Sequence, residues 1–325
     1  MRRGALAESL IRQQGDANMK FIGISAVGFL SGIVFSTLGW LSQDTSKPPR
    51  SDGRESISVL RPVRTTSEDA VSASSQATDG ERGEGPEGEK NLRRKVDLLQ
   101  QGHKFLQEVS DYTTTLTKRE VVKGELLDPQ MIAIKCRSNP FSVYLLWLEG
   151  DVGREVIYID GQNDGKMIAH DGGWKSRIPA FSLSVDCMLA MRDSRYPVTM
   201  AGLTGLTEMM LDVHRKDLAD ANYASCEFGE DQSIEGRPCH LVTTKYQSPD
   251  VSPCYRKSIT WIDKEWNVPV QSRHYEWPRA DLTTVSEHDL DEATLIESYS
   301  FAKLQFDRGL ADRDFDRENE EYGFR

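Results

Sequence analysis

The chain has 325 residues, 38% of them hydrophobic and 28% charged, and a formal net charge of −11 with a pI near 5.2. That length allows one large or two modest domains once the tails are set aside. The acidic balance, with no RNP-like, zinc-finger or basic helical pattern, excludes broad nucleic-acid binding, which needs a surplus of Lys and Arg against phosphate.

Residues 1–18 are polar and carry Arg2, Arg3 and Arg12. An apolar stretch follows over residues 19–41, without a charge after Lys20. About 20 apolar residues cross a bilayer core, so this segment reads as a transmembrane signal anchor, with a cleaved signal peptide as the alternative. The preceding positive charges predict the N-terminus inside and the body outside. Met19-Lys20 resembles a natural signal start, which would make residues 1–18 a mis-assigned extension. Residues 42–90 hold Ser, Gly, Glu, Asp, Arg, Thr and Pro with no aromatic residue, the composition of a disordered linker. Gly83, Gly85 and Gly88 match a dinucleotide-binding pattern, but no strand precedes them and acidic residues surround them.

Residues 91–325 read as the folded domain. Leu92, Val96, Leu99, His103, Leu106 and Val109 recur at helical spacing over Asn91–Ser110. Next come five strand-like runs: Tyr112–Val122, Gln130–Arg137, Phe141–Leu148, Glu155–Ile159 and Lys166–His170. Turns of two to six residues join them, so they form an antiparallel meander and not βαβ units. A second helix is predicted over Val198–Val213. Five further strands follow: Asn222–Phe228, Pro238–Tyr246, Arg256–Ile262, Val268–Tyr275 and Thr294–Phe306. The expected fold class is therefore α+β, with about ten strands in one antiparallel sheet and two helices. Residues 181–195 give no clear signal.

The run Phe141–Leu148 stands apart because Phe141, Val143, Leu145 and Trp147 share one face while Tyr144, Leu146 and Leu148 hold the other. A strand with solvent behind it alternates apolar with polar, so both faces here are covered. One face is expected against the helices and the other against a ligand or partner, and the sequence does not say which. Phe141, Val143, Tyr144, Leu145, Leu146 and Trp147 are the candidate ligand-binding residues.

Catalytic and metal motifs are not found. There is no G-x-S-x-G, and the six histidines form no H-E-x-x-H or other close pair. The segment Gly161–Lys166 superficially matches a P-loop or calcium loop, but Asn163-Asp164-Gly165 between two strands is hairpin chemistry. The acidic C-terminal run from Asp312 to Glu321 is interleaved with Phe315, Tyr322 and Phe324, which suggests that the tail docks on the body. The five cysteines include no C-x-x-C pair. Outside the cytoplasm, one disulfide among Cys226, Cys239 and Cys254 is an open expectation.

Several segments, in order, resemble the DUF1571 proteins of the bacterial envelope: Tyr112–Glu120, Asn139–Leu145, Gly153–Tyr158, Arg195–Val198, Gly236–Cys239 and Asp314–Phe324. These are similar in pattern to LolA-like and outer-membrane lipoprotein-sorting proteins. The resemblance implies a half-barrel: a curved antiparallel sheet whose concave apolar side is covered by helices and holds acyl chains. It implies no catalytic residue and no cofactor. The expected function is a non-enzymatic, inner-membrane-tethered envelope protein that binds a lipid or a lipoprotein acyl chain. The competing reading is a scaffold or sensor that acts through a protein partner; a hydrolase has the least support.

Overall fold

The computed structural model describes residues 87–220, 225–279 and 285–324. The expected extension, the apolar segment 19–41 and all but the end of the linker lie outside the described residues. Among these residues, no helix is long and apolar enough to cross a membrane.

Helix α1 (Glu87–Glu108) opens four residues before the expected boundary at Asn91 and buries Leu92, Val96, Leu99 and Leu106. Thirteen strands follow among the described residues. The meander comprises β1 (Asp111–Val122), β2 (Glu125–Leu126), β3 (Gln130–Arg137), β4 (Ser142–Glu149), β5 (Glu155–Ile159), β6 (Lys166–His170) and β7 (Phe181–Ser184). Helix α2 (Gly202–Asp220) follows. The second half comprises β8 (Ser225–Phe228), β9 (Gln232–Ile234), β10 (Arg237–Lys245), β11 (Lys257–Asp263) and β12 (Pro269–Tyr275). Helix α3 (Glu287–Thr294) then leads into β13 (Leu295–Phe306).

All pairings are antiparallel, in the order β7-β6-β5-β4-β3-β1-β13-β12-β11-β10-β8, with β2 beside β1 and β9 beside β10. The two 12-residue strands β1 and β13 pair at the centre and join the halves. Register shifts interrupt four pairings: β1–β13, β3–β4, β11–β12 and β12–β13. Such bulges raise local twist and bend a sheet, so this one is curved and open.

The ten expected strands are present, and three short ones join them. β2, β7 and β9 have two to four residues each, too few for an alternating pattern to register. Helix α3 has no apolar periodicity to announce it, because it buries only Thr294. It is marked only by its N-cap, where the Ser286 side chain accepts from the Asp289 amide. Helix α2 begins at Gly202, after a 3₁₀ turn over Val198–Met200. Gly202 has φ +84°, and a Cβ there would lie 2.2 Å from the Tyr112 hydroxyl, so only glycine fits. That hydroxyl accepts from the Leu203 amide at 2.9 Å and pins the helix to β1.

The main core lies between the helices and one sheet face. It joins Leu92, Leu99, Leu203, Leu206 and Met210 to Ile134, Val143, Val156, Val242, Ile262 and Phe301. A second core lies on the opposite face, where Phe315, Tyr322 and Phe324 of the C-terminal segment cover Tyr144 and Ile157.

The expected disulfide is corrected. No bridge joins Cys226, Cys239 and Cys254. Register places Cys226 opposite Thr244, five residues along β10 from Cys239, about 17 Å at the strand rise and far beyond disulfide reach. Cys254 packs in a separate rim cluster with Tyr246, Tyr255 and Ile296.

Candidate binding cavity

A cavity of about 120 Å³ lies between α2 and the inner face of β1, β3–β6 and β13. Its floor is built by alternation. Leu116, Ile132, Ile134, Leu145, Trp147, Val156, Met167 and Phe301 all project to one side because side chains two apart on a strand share a face. Its roof is Gly205, Leu206 and Met209 of α2, with the segment 185–201 that leads into that helix. Gly205 lets the roof close on itself, since a Cβ there would meet the Met200 carbonyl oxygen at 2.0 Å.

One end of the cavity is polar, and its charges neutralise one another. The Lys118 ammonium donates to Glu120 Oε2 at 2.8 Å, to Ser194 Oγ at 2.7 Å and to the Asp193 carbonyl at 3.1 Å. Glu120 also accepts from the Tyr299 hydroxyl at 2.6 Å and the Arg195 amide at 3.2 Å. Arg154 lies 4.6 Å over the Trp147 ring and pairs with Asp193 at 3.2 Å. Every charge at this end is thus held by its neighbours, which leaves the apolar floor and roof as the surface on offer.

Beside this end a polar row crosses the inner face, set by register: Thr244, Ser258, His274, Glu297 and Glu120 on five adjacent strands. Glu297 is fully buried and pairs with Arg195 at 2.8 Å. It also accepts from the Tyr255 hydroxyl at 2.9 Å and the Tyr196 hydroxyl at 3.0 Å. Burial alone would raise its pKa, but Arg195 and the two hydroxyls outweigh burial and hold it below the ordinary value. His214 and His274 are both pushed down to about 4, chiefly by burial. At the far end Lys95, also fully buried, bonds Thr244 Oγ1 at 3.2 Å, and burial lowers its pKa to about 8.

Of the six candidate residues, Leu145 and Trp147 line the cavity. Phe141 and Val143 lie on the same face but in the packed core. Tyr144 and Leu146 point the other way, against the C-terminal segment. Both faces of β4 are therefore covered, one by helix and cavity and the other by the protein's own tail. The polar end draws on Lys118, Glu120, Arg154, Asp193, Ser194 and Tyr299; Lys118, Glu120 and Arg154 lie in the segments that carry the resemblance, but none of the six is an expected site residue. The only trace available was that Lys118 and Glu120 fall on the apolar side of an alternating strand.

The turn Asn163–Gly165 is a 3₁₀ turn between β5 and β6, not a loop between helices. No group of three or more potential metal ligands occurs among the described residues.

Residues 109–324 match a family model described as a protein of unknown function (DUF1571). No curated protein matches the chain. Among solved structures, the chain is similar to a DUF1329 family protein from Desulfovibrio piger at 11% identity and TM-score 0.35, over 70% of this chain and 97% of that one. It is similar to Pseudomonas aeruginosa MucA/MucB at 13% identity and TM-score 0.39, over 69% of this chain and 60% of that one. A putative outer membrane lipoprotein-sorting protein domain from Vibrio parahaemolyticus matches at 11% identity and TM-score 0.31, over 70% and 98%. None of these distant likenesses bears on function.

Proposed function

The chain belongs to the DUF1571 family, and from its geometry we propose that it binds the apolar part of a lipid or lipoprotein acyl chain between α2 and the sheet, without catalysis. The observation that carries this reading is the cavity itself, walled mainly by aliphatic and aromatic side chains, with its few charges already paired. Such a site rewards removal of methylenes from water, about 0.8 kcal/mol each. It offers no uncompensated charge to a head group, so selectivity comes from size and shape. The protein would act in the cell envelope, held at the inner membrane through residues 19–41. Within the cavity the acyl chain would lie against Leu145 and Trp147.

A hydrolase is disfavoured by the same geometry. Ser194 and Lys118 lie 2.7 Å apart in the cavity wall, the spacing of a serine–lysine pair. However, Lys118 directs its N–H groups to Glu120, Ser194 and the Asp193 carbonyl, with no lone pair left to take a serine proton. A scaffold that acts only through protein contacts would have no use for an open apolar cavity.

Native mass spectrometry of residues 87–325 purified from a periplasm, with uptake of a fluorescent fatty-acid probe, tests the proposal. Co-purified lipid, and probe uptake that drops about tenfold in Val156→Trp, where a ring fills the cavity, are the expected results. An empty protein that also ignores the probe would return the scaffold reading.

A further inference from the structure

Seven large apolar side chains are exposed among the described residues, and six of them lie in three loops or at the end of the strand that enters one: Leu148, Val152, Trp174, Ile178, Met188 and Leu189. Trp174 is 81% exposed and Met188 82%. The loops are the β4–β5 turn, the segment after β6 and the segment after β7, and contacts bring them to one place. The Gly173 amide donates to the Val152 carbonyl at 3.1 Å. Gly172 allows that approach, since a Cβ there would meet the same carbonyl oxygen at 2.2 Å. Arg154 and Arg192 tie the third loop to the first, through Asp193 at 3.2 Å and Asp151 at 3.8 Å.

The same loops wall the cavity. Trp147 lines it and Leu148 is exposed; Arg154 lines it and Val152 is exposed; Val185 and Ala190 line it and Met188 and Leu189 between them are exposed. At this end residues that wall the cavity, the paired Arg154 among them, are close chain neighbours of exposed apolar side chains.

We propose that this three-loop surface docks on a phospholipid bilayer, placing lipid against this end of the cavity wall. The inference rests on the acyl-binding reading above and adds where the ligand comes from. Three features favour a bilayer over a protein partner. The side chains come from three separate segments and none lines the cavity, so they suit a surface into which they can sink. Trp174 has Lys175 and Arg177 beside it, with the Lys175 ammonium 6.0 Å from its ring centroid, the pairing of aromatic and basic residues found at membrane interfaces. Residues 42–86, of linker composition, separate the apolar run 19–41 from Glu87, so a chain anchored through that run, as proposed above, would keep a weak contact concentrated. Because Asp171 and Asp186 stand in the same loops, apolar insertion and not attraction to anionic lipid drives the contact.

The test reconstitutes the full chain with phosphatidylethanolamine and phosphatidylglycerol vesicles that contain a photoactivatable phospholipid, then maps labelled peptides. Labelling within 148–152, 172–178 and 186–190, reduced about tenfold in W174S/M188S, is expected. Probe uptake in solution should be unchanged in that variant, since neither residue lines the cavity. Labelling confined to residues before Glu87, or spread evenly over the body, would overturn the docking surface. Wild-type probe uptake with no loop labelling would overturn docking alone, whereas loop labelling without probe uptake would overturn the acyl-binding reading alone.

Discussion

Tyr322 stacks on Tyr144 with ring centroids 4.0 Å apart and planes 8° from parallel, which joins the last residues of the chain to a strand in the first half of the sheet. Around this pair Lys135 reaches Asp314 at 2.6 Å and the Tyr322 hydroxyl at 3.0 Å. Glu155 accepts from Tyr144 at 2.7 Å and from the Gly323 amide at 2.6 Å. The C-terminal segment is thereby a structural layer that keeps the outer face of β4 and β5 dry.

Tyr322→Ala should therefore destabilise the fold by about 3 kcal/mol, through lost burial and an uncovered Tyr144. Urea unfolding followed by circular dichroism measures this. A change below roughly 0.5 kcal/mol, the size of an ordinary surface substitution, would mean that the tail does not hold the sheet.

Glu297→Gln should cost about 3 kcal/mol or more at neutral pH, because Arg195 then keeps a charge with no counter-ion in a buried site. Glu297 has a lowered pKa in the fold. Its stabilisation is present above the unfolded value of about 4.3 and is lost as pH falls through the lower folded value. The variant's unfolding free energy should accordingly be less acid-sensitive than the wild type's below pH of about 4.

His214 and His274 act in a different pH window. Each has a folded pKa near 4, against about 6.5 unfolded. The unfolded chain takes up these protons first, so stability is complete above about 6.5 and falls between 6.5 and 4, by up to roughly 3 kcal/mol for each histidine. Chemical denaturation at pH values across that window, on wild type and H214N/H274N, should show the slope only in the former.

Lys95→Met should stabilise the protein by about 1–2 kcal/mol at pH 7, since burial of the ammonium, hydrogen-bonded to the Thr244 hydroxyl, outweighs the attraction of Asp217. The folded pKa of about 8 lies below the ordinary lysine value of 10.5. Wild-type stability therefore rises with pH between these values, and the advantage of the variant should shrink over the same range. Thermal melts at pH 7 and near pH 10 compare the two directly.

Ten strands and the two long helices are legible in the residues alone, because side-chain period and turn chemistry are local properties. The same holds for the cover on both faces of β4, since no solvent-backed strand carries Tyr144 and Leu146 opposite Val143, Leu145 and Trp147, whereas Leu148, expected with them, is exposed. Tertiary structure decided what does the covering. The outer layer comes from Tyr322, far along the chain, and the inner one from α2, and no periodicity within β4 encodes either partner. The polar end of the cavity was equally hidden: Lys118, Glu120, Ser194 and Tyr299 come from two strands and a loop that meet only through the register of β1 with β13. Short strands escaped for the complementary reason, because two to four residues are too few to show a period and are stabilised by the neighbour they pair with. Local pattern fixes which residues must be buried; only the path of the chain in space fixes against what.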